Sequence, residues 1–332
     1  MRIGLALPQY DYSVAGESPL QLTTIVAHAR RAEALGFDSL WLSDHLFLDI
    51  AKYGGDDRRY GAFEPIATLS ALAAAVNRVR LGTLVICEAL RPPGVLAKAL
   101  ATLDRVTGGR LDIGLGAGWY EPEYEAIGMP MPSPGVRIRR LREATEIVCG
   151  LLGGEELTYA GEFFQLAGAR VDPPALQRPR PPVFLGGKGD RLLATVAAVA
   201  DGWNTCWAWT PDDYRARADV LDRACERVGR DPASVSRSLG LYALVGDDEA
   251  DLAARFERLR AATPAGVLDA VSLADWRVGR LVGTVDQVQE QAAAWAELGV
   301  ETIILGAGAL PFQVGSPEDV AALAGALTAP LP

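Results

Sequence analysis

Short apolar runs rich in Val, Ile, Leu and Trp alternate along this chain with longer segments whose apolar positions recur every three or four residues. The runs fall at 3–7, 39–42, 81–86, 111–115, 183–185, 203–207, 239–245 and 302–305. Strands separated in this way by amphipathic helices build a parallel sheet, because parallel neighbours need a crossover connection and the helices cover the faces of the sheet. Eight such repeats predict an α/β fold, the (β/α)8 TIM barrel.

Local signals support the repeat. Between the first two runs Leu22, Ile25, Val26, Ala29, Ala32 and Leu35 share one helical face, and Gly36 is the stop signal. Thr284 with Gln287 has the form of a capping box before a helix reaching Leu298 and Gly299, and Ser316-Pro317-Glu318 opens a last helix. Two stretches break the pattern. Residues 128–182 hold one helix (about 137–152) and a hairpin around 159–166, and residues 261–279 follow neither period. Both are read as insertions at the C-terminal face of a single domain spanning 1–332, since no linker long enough to separate two folding units is present.

Composition narrows the function classes. The chain is 49% hydrophobic and 22% charged. It has no stretch of about 18 apolar residues and no charged-then-apolar leader, so a cytoplasmic protein with no membrane partner is expected. A net charge of -10 opposes general affinity for nucleic acid and directs the search to a local site for a small-molecule substrate. Cys87, Cys149, Cys206 and Cys225 are widely spaced and only His28 and His45 accompany them, so no disulfide framework and no metal site is expected.

Barrel chemistry sits on the loops after the strands. The second run ends in Ser43-Asp44-His45, and an imidazole is the side chain suited to exchange the proton that accompanies a hydride; Asp44 is a second titratable candidate, and a strand cap is the plain alternative. The fourth run leads into Gly114-Leu115-Gly116-Ala117-Gly118-Trp119, which allows either close approach of a flat ligand to the backbone or a tight turn. The fifth leads into Gly186-Gly187-Lys188-Gly189 before a helix, a set of free N–H groups with one lysine that suits an anion. Trp203, Trp207 and Trp209 crowd around the sixth, and flat aromatic walls suit a conjugated ring or an apolar substrate. By alternation Trp203 and Trp207 share one face and Asn204 and Cys206 the other, with the inward face left open. Trp119, Trp207 and the carboxylate of Glu88 are the substrate-side candidates. The arginine-rich run 137–143 reads first as a solvated helix face and second as a receptor for an anionic tail.

These stretches, with "GFDSLWLSDH" (36–45), "VRLGTLV" (79–85), "LAKALATLDRVTGGRLDIGLGAGWYEPEYEAIG" (96–128), "PPVFLGGKGD" (181–190), "ADGWN" (200–204) and "VGTVDQV" (282–288), resemble the bacterial luciferase-like superfamily, and within it the deazaflavin (coenzyme F420)-dependent oxidoreductases. The resemblance implies a barrel, usually a homodimer, with the cofactor ring in its mouth. Ser43-Asp44-His45 matches the segment that brings a histidine beside the reactive carbon of the ring. The resemblance also implies a non-prolyl cis peptide after Leu81-Gly82-Thr83, at Leu84-Val85 behind the ring, and a phosphate held by Gly186, Gly187, Lys188 and Gly189. One departure is Trp119, where some sugar-phosphate dehydrogenases of the family carry a catalytic glutamate; a larger, less polar substrate is favoured over a sugar phosphate. The expected activity is hydride transfer between F420 and a fairly apolar organic molecule. An FMN-dependent two-component monooxygenase of the same fold is the first alternative, and a non-catalytic cofactor-binding accessory protein the second.

Overall fold

The computed structural model describes residues 1–328, and the eight runs are its eight barrel strands. They are β1 (Arg2–Ala6), β2 (Ser39–Leu42), β3 (Arg80–Thr83), β4 (Leu111–Gly116), β5 (Val183–Gly186), β6 (Gly202–Trp207), β7 (Ser236–Gly246) and β8 (Thr302–Gly306). Each pairs in parallel with the next, and β8 pairs with β1 from Arg2 opposite Thr302 to Leu5 opposite Leu305, which closes the barrel. Closure leaves no edge, and both faces of every strand are covered, which is why the runs are apolar throughout instead of alternating.

The barrel interior is filled from below by aromatic side chains that need glycine opposite them. A Cβ at Gly4 would lie 2.6 Å from Trp41 Nε1, and one at Gly82 would lie 2.4 Å from Trp41 Cε3. Phe184 imposes the same condition on Gly202, where a Cβ would stand 2.3 Å from its ring. At the N-terminal end of the strands Arg80 donates to both oxygens of Asp112 (2.8 and 2.7 Å). The interior is thus packed shut at the bottom and free to open at the top, as barrel architecture requires of a site-bearing mouth.

Helices form the outer ring. The first, Leu22–Ala34, buries Ile25, Ala29 and Ala32, while Leu22, its first residue, is 39% exposed and off the expected face. The capping box of Thr284 and Gln287 is present, and Ser316 accepts from the Asp319 N–H at the last helix. Some strands escaped the sequence reading: the short antiparallel pair Phe47–Leu48 and Tyr60–Gly61 in the loop after β2, and Leu281–Thr284, which extends the sheet beside the top of β7, pairing in parallel with 243–246, where only its helix-starting Thr284 carried a local signal.

The stretch 128–182 is not wholly an insertion. Its helix, Pro134–Leu152, packs between Pro93–Val106 and Asp190–Val199 and is the fourth crossover helix of the barrel. Only the hairpin Leu157–Ala160 with Gln165–Ala169 is additional, and it lies against that helix. Glu143 accepts the N–H groups of Glu162, Phe163 and Phe164, and the Tyr159 hydroxyl donates to Glu146. Residues 261–279 do reach the C-terminal face, where Val267, Leu268 and Trp276 join a core cluster with Tyr10, Ile50 and Phe312.

The chain entering β5 is anchored by Asp104, a fully buried carboxylate that accepts from the N–H groups of Leu176 (2.6 Å) and Gln177 (2.8 Å) and from Gln177 Nε2 (2.7 Å). Asp104→Ala strands these donors, and a loss of about 1–3 kcal/mol in unfolding free energy is expected from denaturant titration. An unchanged midpoint would mean that the segment is held by its other contacts.

Candidate active site

A cavity of about 450 Å³ opens at the C-terminal face, lined by residues from the ends of seven of the eight strands or the loops after them. The loop after β2 supplies an imidazole, His45. His45 Nδ1 lies 2.8 Å from Oε2 of Glu123, which stands on the short helix Glu121–Ala126 after β4. A carboxylate only accepts, so Nδ1 carries the shared proton and Nε2 is the ring nitrogen left to exchange one with a ligand. The other Glu123 oxygen accepts the Leu46 N–H and, at 3.4 Å, that of Phe47. Glu123 therefore orients the imidazole and pins the backbone that carries it.

The two residues before His45 are fully engaged. Asp44 takes both guanidinium nitrogens of Arg91 (2.6 and 3.0 Å) and the Cys87 N–H (3.0 Å). Arg91 reaches on to Glu64 at 2.6 Å. A carboxylate so occupied is an anchor for the loop, which corrects the expectation that Asp44 shares the acid–base work. Ser43 is clasped by Gln9, which accepts its N–H (2.7 Å) and hydroxyl (2.9 Å) and donates to its carbonyl (2.7 Å). With the Ser43 hydroxyl committed, Tyr10 donates to its oxygen at 2.6 Å, and burial pushes the Tyr10 phenol well above its ordinary range, keeping it a donor.

Val85 enters the cavity between the ends of β4 and β5, and the Leu84–Val85 peptide is cis. The glycines expected to admit a ligand make room for this side chain first. A Cβ at Gly114 would meet the Thr83 carbonyl at 2.2 Å, one at Gly116 would meet Val85 at 2.5 Å, and one at Gly186 would meet it at 2.9 Å. Thr83 ties the same place together, its hydroxyl accepting the Gly114 N–H (2.8 Å) and donating to the Gly114 carbonyl (2.9 Å). Gly118 has φ +72°, and any Cβ there would strike the Tyr124 hydroxyl. Leu84, Val85, Gly116, Gly118, Gly186, Gly187 and Lys188 all line the cavity, with Ser43, Asp44, His45, Trp119 and Trp207.

A second cavity of about 560 Å³ shares Val85, Gly116, Trp119 and Lys188 with the first and adds Ala117, Gly189, Arg137 and Arg191. Its wall holds the start of the helix Asp190–Val199, whose first N–H groups have no partner within the helix. Asp190 also lines this cavity, and its carboxylate is paired with Arg217 at 2.7 Å. Lys188, Arg137 and Arg191 thus surround a helix N-terminus, an anion-binding arrangement. The arginine run contributes Arg137 to it, while Arg139 pairs outward with Glu162.

Two substrate-side expectations change. Glu88 is buried and turned to Arg140 (3.0 Å); it does not line the cavity, and burial raises its carboxyl pKa against the opposing pull of Arg140. Trp203 and Trp207 do not share a face. Trp203 faces the helices, stacking on Tyr214 with ring centres 5.2 Å apart and donating to the Gly187 carbonyl, whereas Trp207 stacks on Tyr242 beside Phe312 in the mouth. Strict alternation ends at Cys206–Trp207, a second cis peptide, and both of these residues line the cavity. Lys52, Tyr53, Tyr10, Glu123 and Phe312 were missed, as were Arg91 and Arg191. Most come from the loops after the strands, Glu123 and Arg191 from the helices Glu121–Ala126 and Asp190–Val199, and no spacing rule links Glu123 to a histidine 78 residues away.

Known proteins resemble this chain over most of its length. The family model for luciferase-like monooxygenases matches residues 1–323. An F420-dependent hydroxymycolic acid dehydrogenase of Mycobacterium tuberculosis is 30% identical over 89% of this chain and 79% of its own. An FMNH2-dependent dimethylsulfone monooxygenase of Pseudomonas putida is 28% identical over 86% and 82%. The solved structure of an F420-dependent secondary alcohol dehydrogenase in complex with an F420–acetone adduct superposes with a TM-score of 0.75 at 20% identity, covering 97% of this chain and 96% of that one.

If Glu123 sets the histidine tautomer, Glu123→Ala lowers turnover by about 10²-fold, the scale of loss when a reacting group is misplaced by an ångström. The same variant should convert the His45 nitrogen signals in a ¹⁵N–¹H correlation spectrum from one tautomer to a mixture. A variant that keeps the single tautomer would remove Glu123 from the arrangement.

Proposed function

The chain belongs to the luciferase-like monooxygenase family, and from that membership we propose that it is an oxidoreductase using coenzyme F420, which exchanges a hydride with a small, largely apolar organic molecule. The observation that carries the reading is His45, held by Glu123 with Nε2 free, in a cavity beside Val85 and continuous with a cationic annex.

The residues present fit such a group. Val85, seated among glycines, offers a flat apolar support for a ring, and the glycine backbone permits close approach. Lys188, Arg137, Arg191 and the helix start after Gly189 would hold the phosphate. When bound, the deazaflavin supplies a carbon that accepts or releases a hydride. His45 Nε2 takes the hydroxyl proton as an alcohol becomes a carbonyl, the hydride leaving its carbon with the electron pair; in the reverse direction Nε2 returns that proton to oxygen. Glu123, hydrogen-bonded to Nδ1, would stabilise the imidazolium that forms. Trp207 and Phe312 line the inner wall and Trp119, half exposed, stands at the rim, so a bound ligand would complete the exclusion of water that strengthens the polar contacts inside.

The flavin-dependent relative keeps an FMN-dependent monooxygenase as the second reading. The two separate by titration of the purified protein with F420 and with FMN, each followed by fluorescence and by oxygen uptake of the reduced complex. Tight F420 binding without oxygen uptake is expected; FMN binding with rapid oxygen uptake would overturn the hydride-transfer reading. His45→Ala should lower turnover by about 10²–10⁴-fold while F420 affinity stays within a few fold, and full activity would exclude His45. Lys188→Ala should weaken F420 binding more at low salt than at high, because the lost contact is a charge at the rim of a solvated annex; an unchanged affinity would put the phosphate elsewhere.

A further inference from the structure

The charges that line the main cavity do not cancel. Its two carboxylates are both taken, Asp44 by Arg91 and Glu123 by His45 and the following backbone. Its two lysines, Lys52 and Lys188, form no ion pair among the described residues. Lys188 belongs to the annex with Arg137 and Arg191. Lys52 does not: it stands on the loop after β2, with its ammonium 3.4 Å above the Trp119 ring and 4.8 Å from that of Tyr53. Trp119 in turn meets His45 edge to face, with ring centres 5.7 Å apart. A cofactor phosphate in the annex would leave the second cation, across the Trp119 ring from the histidine, without an anion.

We propose that Lys52 is the substrate-recognition residue and that the substrate is an apolar molecule ending in a carboxylate, held by the Lys52 ammonium over Trp119 while its reacting carbon lies at His45. The proposal rests on the hydride-transfer reading of this cavity. A single ammonium, with no guanidinium and no helix N-terminus beside it, suits a monoanion better than a phosphate. Leu48, Tyr53, Leu90 and Phe312 provide the apolar wall along which the rest of the molecule would lie.

The surroundings of Lys52 agree with a cation awaiting a partner. Asp49, the nearest acid on its own loop, is bound to the Tyr120 hydroxyl and accepts the Ala51 N–H, and it does not line the cavity. Cys206 faces Lys52 from β6, Tyr53 from the same loop, and Trp119 with Tyr120 from the loop after β4. Lys52 is exposed at the rim of the cavity, and the packing of its stem against these groups pulls its ammonium down to about 8, opposed by Asp49. The cation is therefore present at neutral pH and lost above it, and a bound carboxylate would stabilise it.

The test compares octanoate with octan-1-ol, two probes of one chain length, by calorimetric titration of the full-length protein, with F420 affinity measured in parallel by fluorescence. The expected result is that octanoate binds about 10- to 100-fold tighter than octan-1-ol, the worth of one charge-assisted contact. Lys52→Met should abolish that preference, Lys52→Arg should restore part of it, and F420 affinity should stay within a few fold in both. Raising the pH from about 7 to about 9.5 should erode the preference in the parent protein. Equal preference in the parent and Lys52→Met overturns the proposal, as does a Lys52→Met variant that loses F420 affinity and keeps the preference. An octanoate preference that depends on Lys52 in a protein that does not bind F420 would instead sink the cofactor reading and leave the carboxylate site standing.

Discussion

Two carboxylates pull on successive residues at the end of β2, and the site hangs on them. Asp44 is drawn to Arg91 and the Cys87 N–H after β3, while Glu123 after β4 holds His45 and the backbone of Leu46 and Phe47. A loop leaving a barrel strand has no ladder of its own, and it would sample many conformations without such ties. Here three adjacent strand ends are joined through side chains, so the histidine occupies one position relative to the cavity floor. The Gln9 clasp on Ser43 extends the same fixation to the loop after β1.

The glycines around the mouth serve packing and access at once. Gly114, Gly116 and Gly186 are excluded from bearing a side chain by Thr83 and Val85, before any ligand is considered. The same lack of side chains leaves the backbone of β4 and β5 open toward the cavity. A glycine-rich strand end is thus ambiguous when read alone, and the partner across the barrel decides its meaning.

Electrostatics divides the molecule in two. The chain carries a net charge of -10, yet the unpaired charges at the mouth and annex, Lys188 with Arg137 and Arg191 in one place and Lys52 in another, are positive. Acidic residues elsewhere discourage polyanions, and a concave site with low-dielectric walls concentrates the small anions that fit.

The barrel itself was legible in the sequence because its cause is local. A strand covered on both faces must be apolar throughout, a crossover helix must be apolar on one stripe, and both periods are written in consecutive residues. Ser43-Asp44-His45, the glycine clusters and Lys188 were legible for the same reason, since each sits where an apolar run stops. The division of labour among them was decided by the tertiary structure. Asp44 became an anchor because Arg91, 47 residues on, lies within reach, and His45 acquired an orienting carboxylate from 78 residues away. Glu88 turned to Arg140, Trp203 and Trp207 parted to opposite faces, and Lys52 came to rest on Trp119. Such pairings are set by how strands close into a barrel, and no periodicity within one segment encodes which loops that closure brings together.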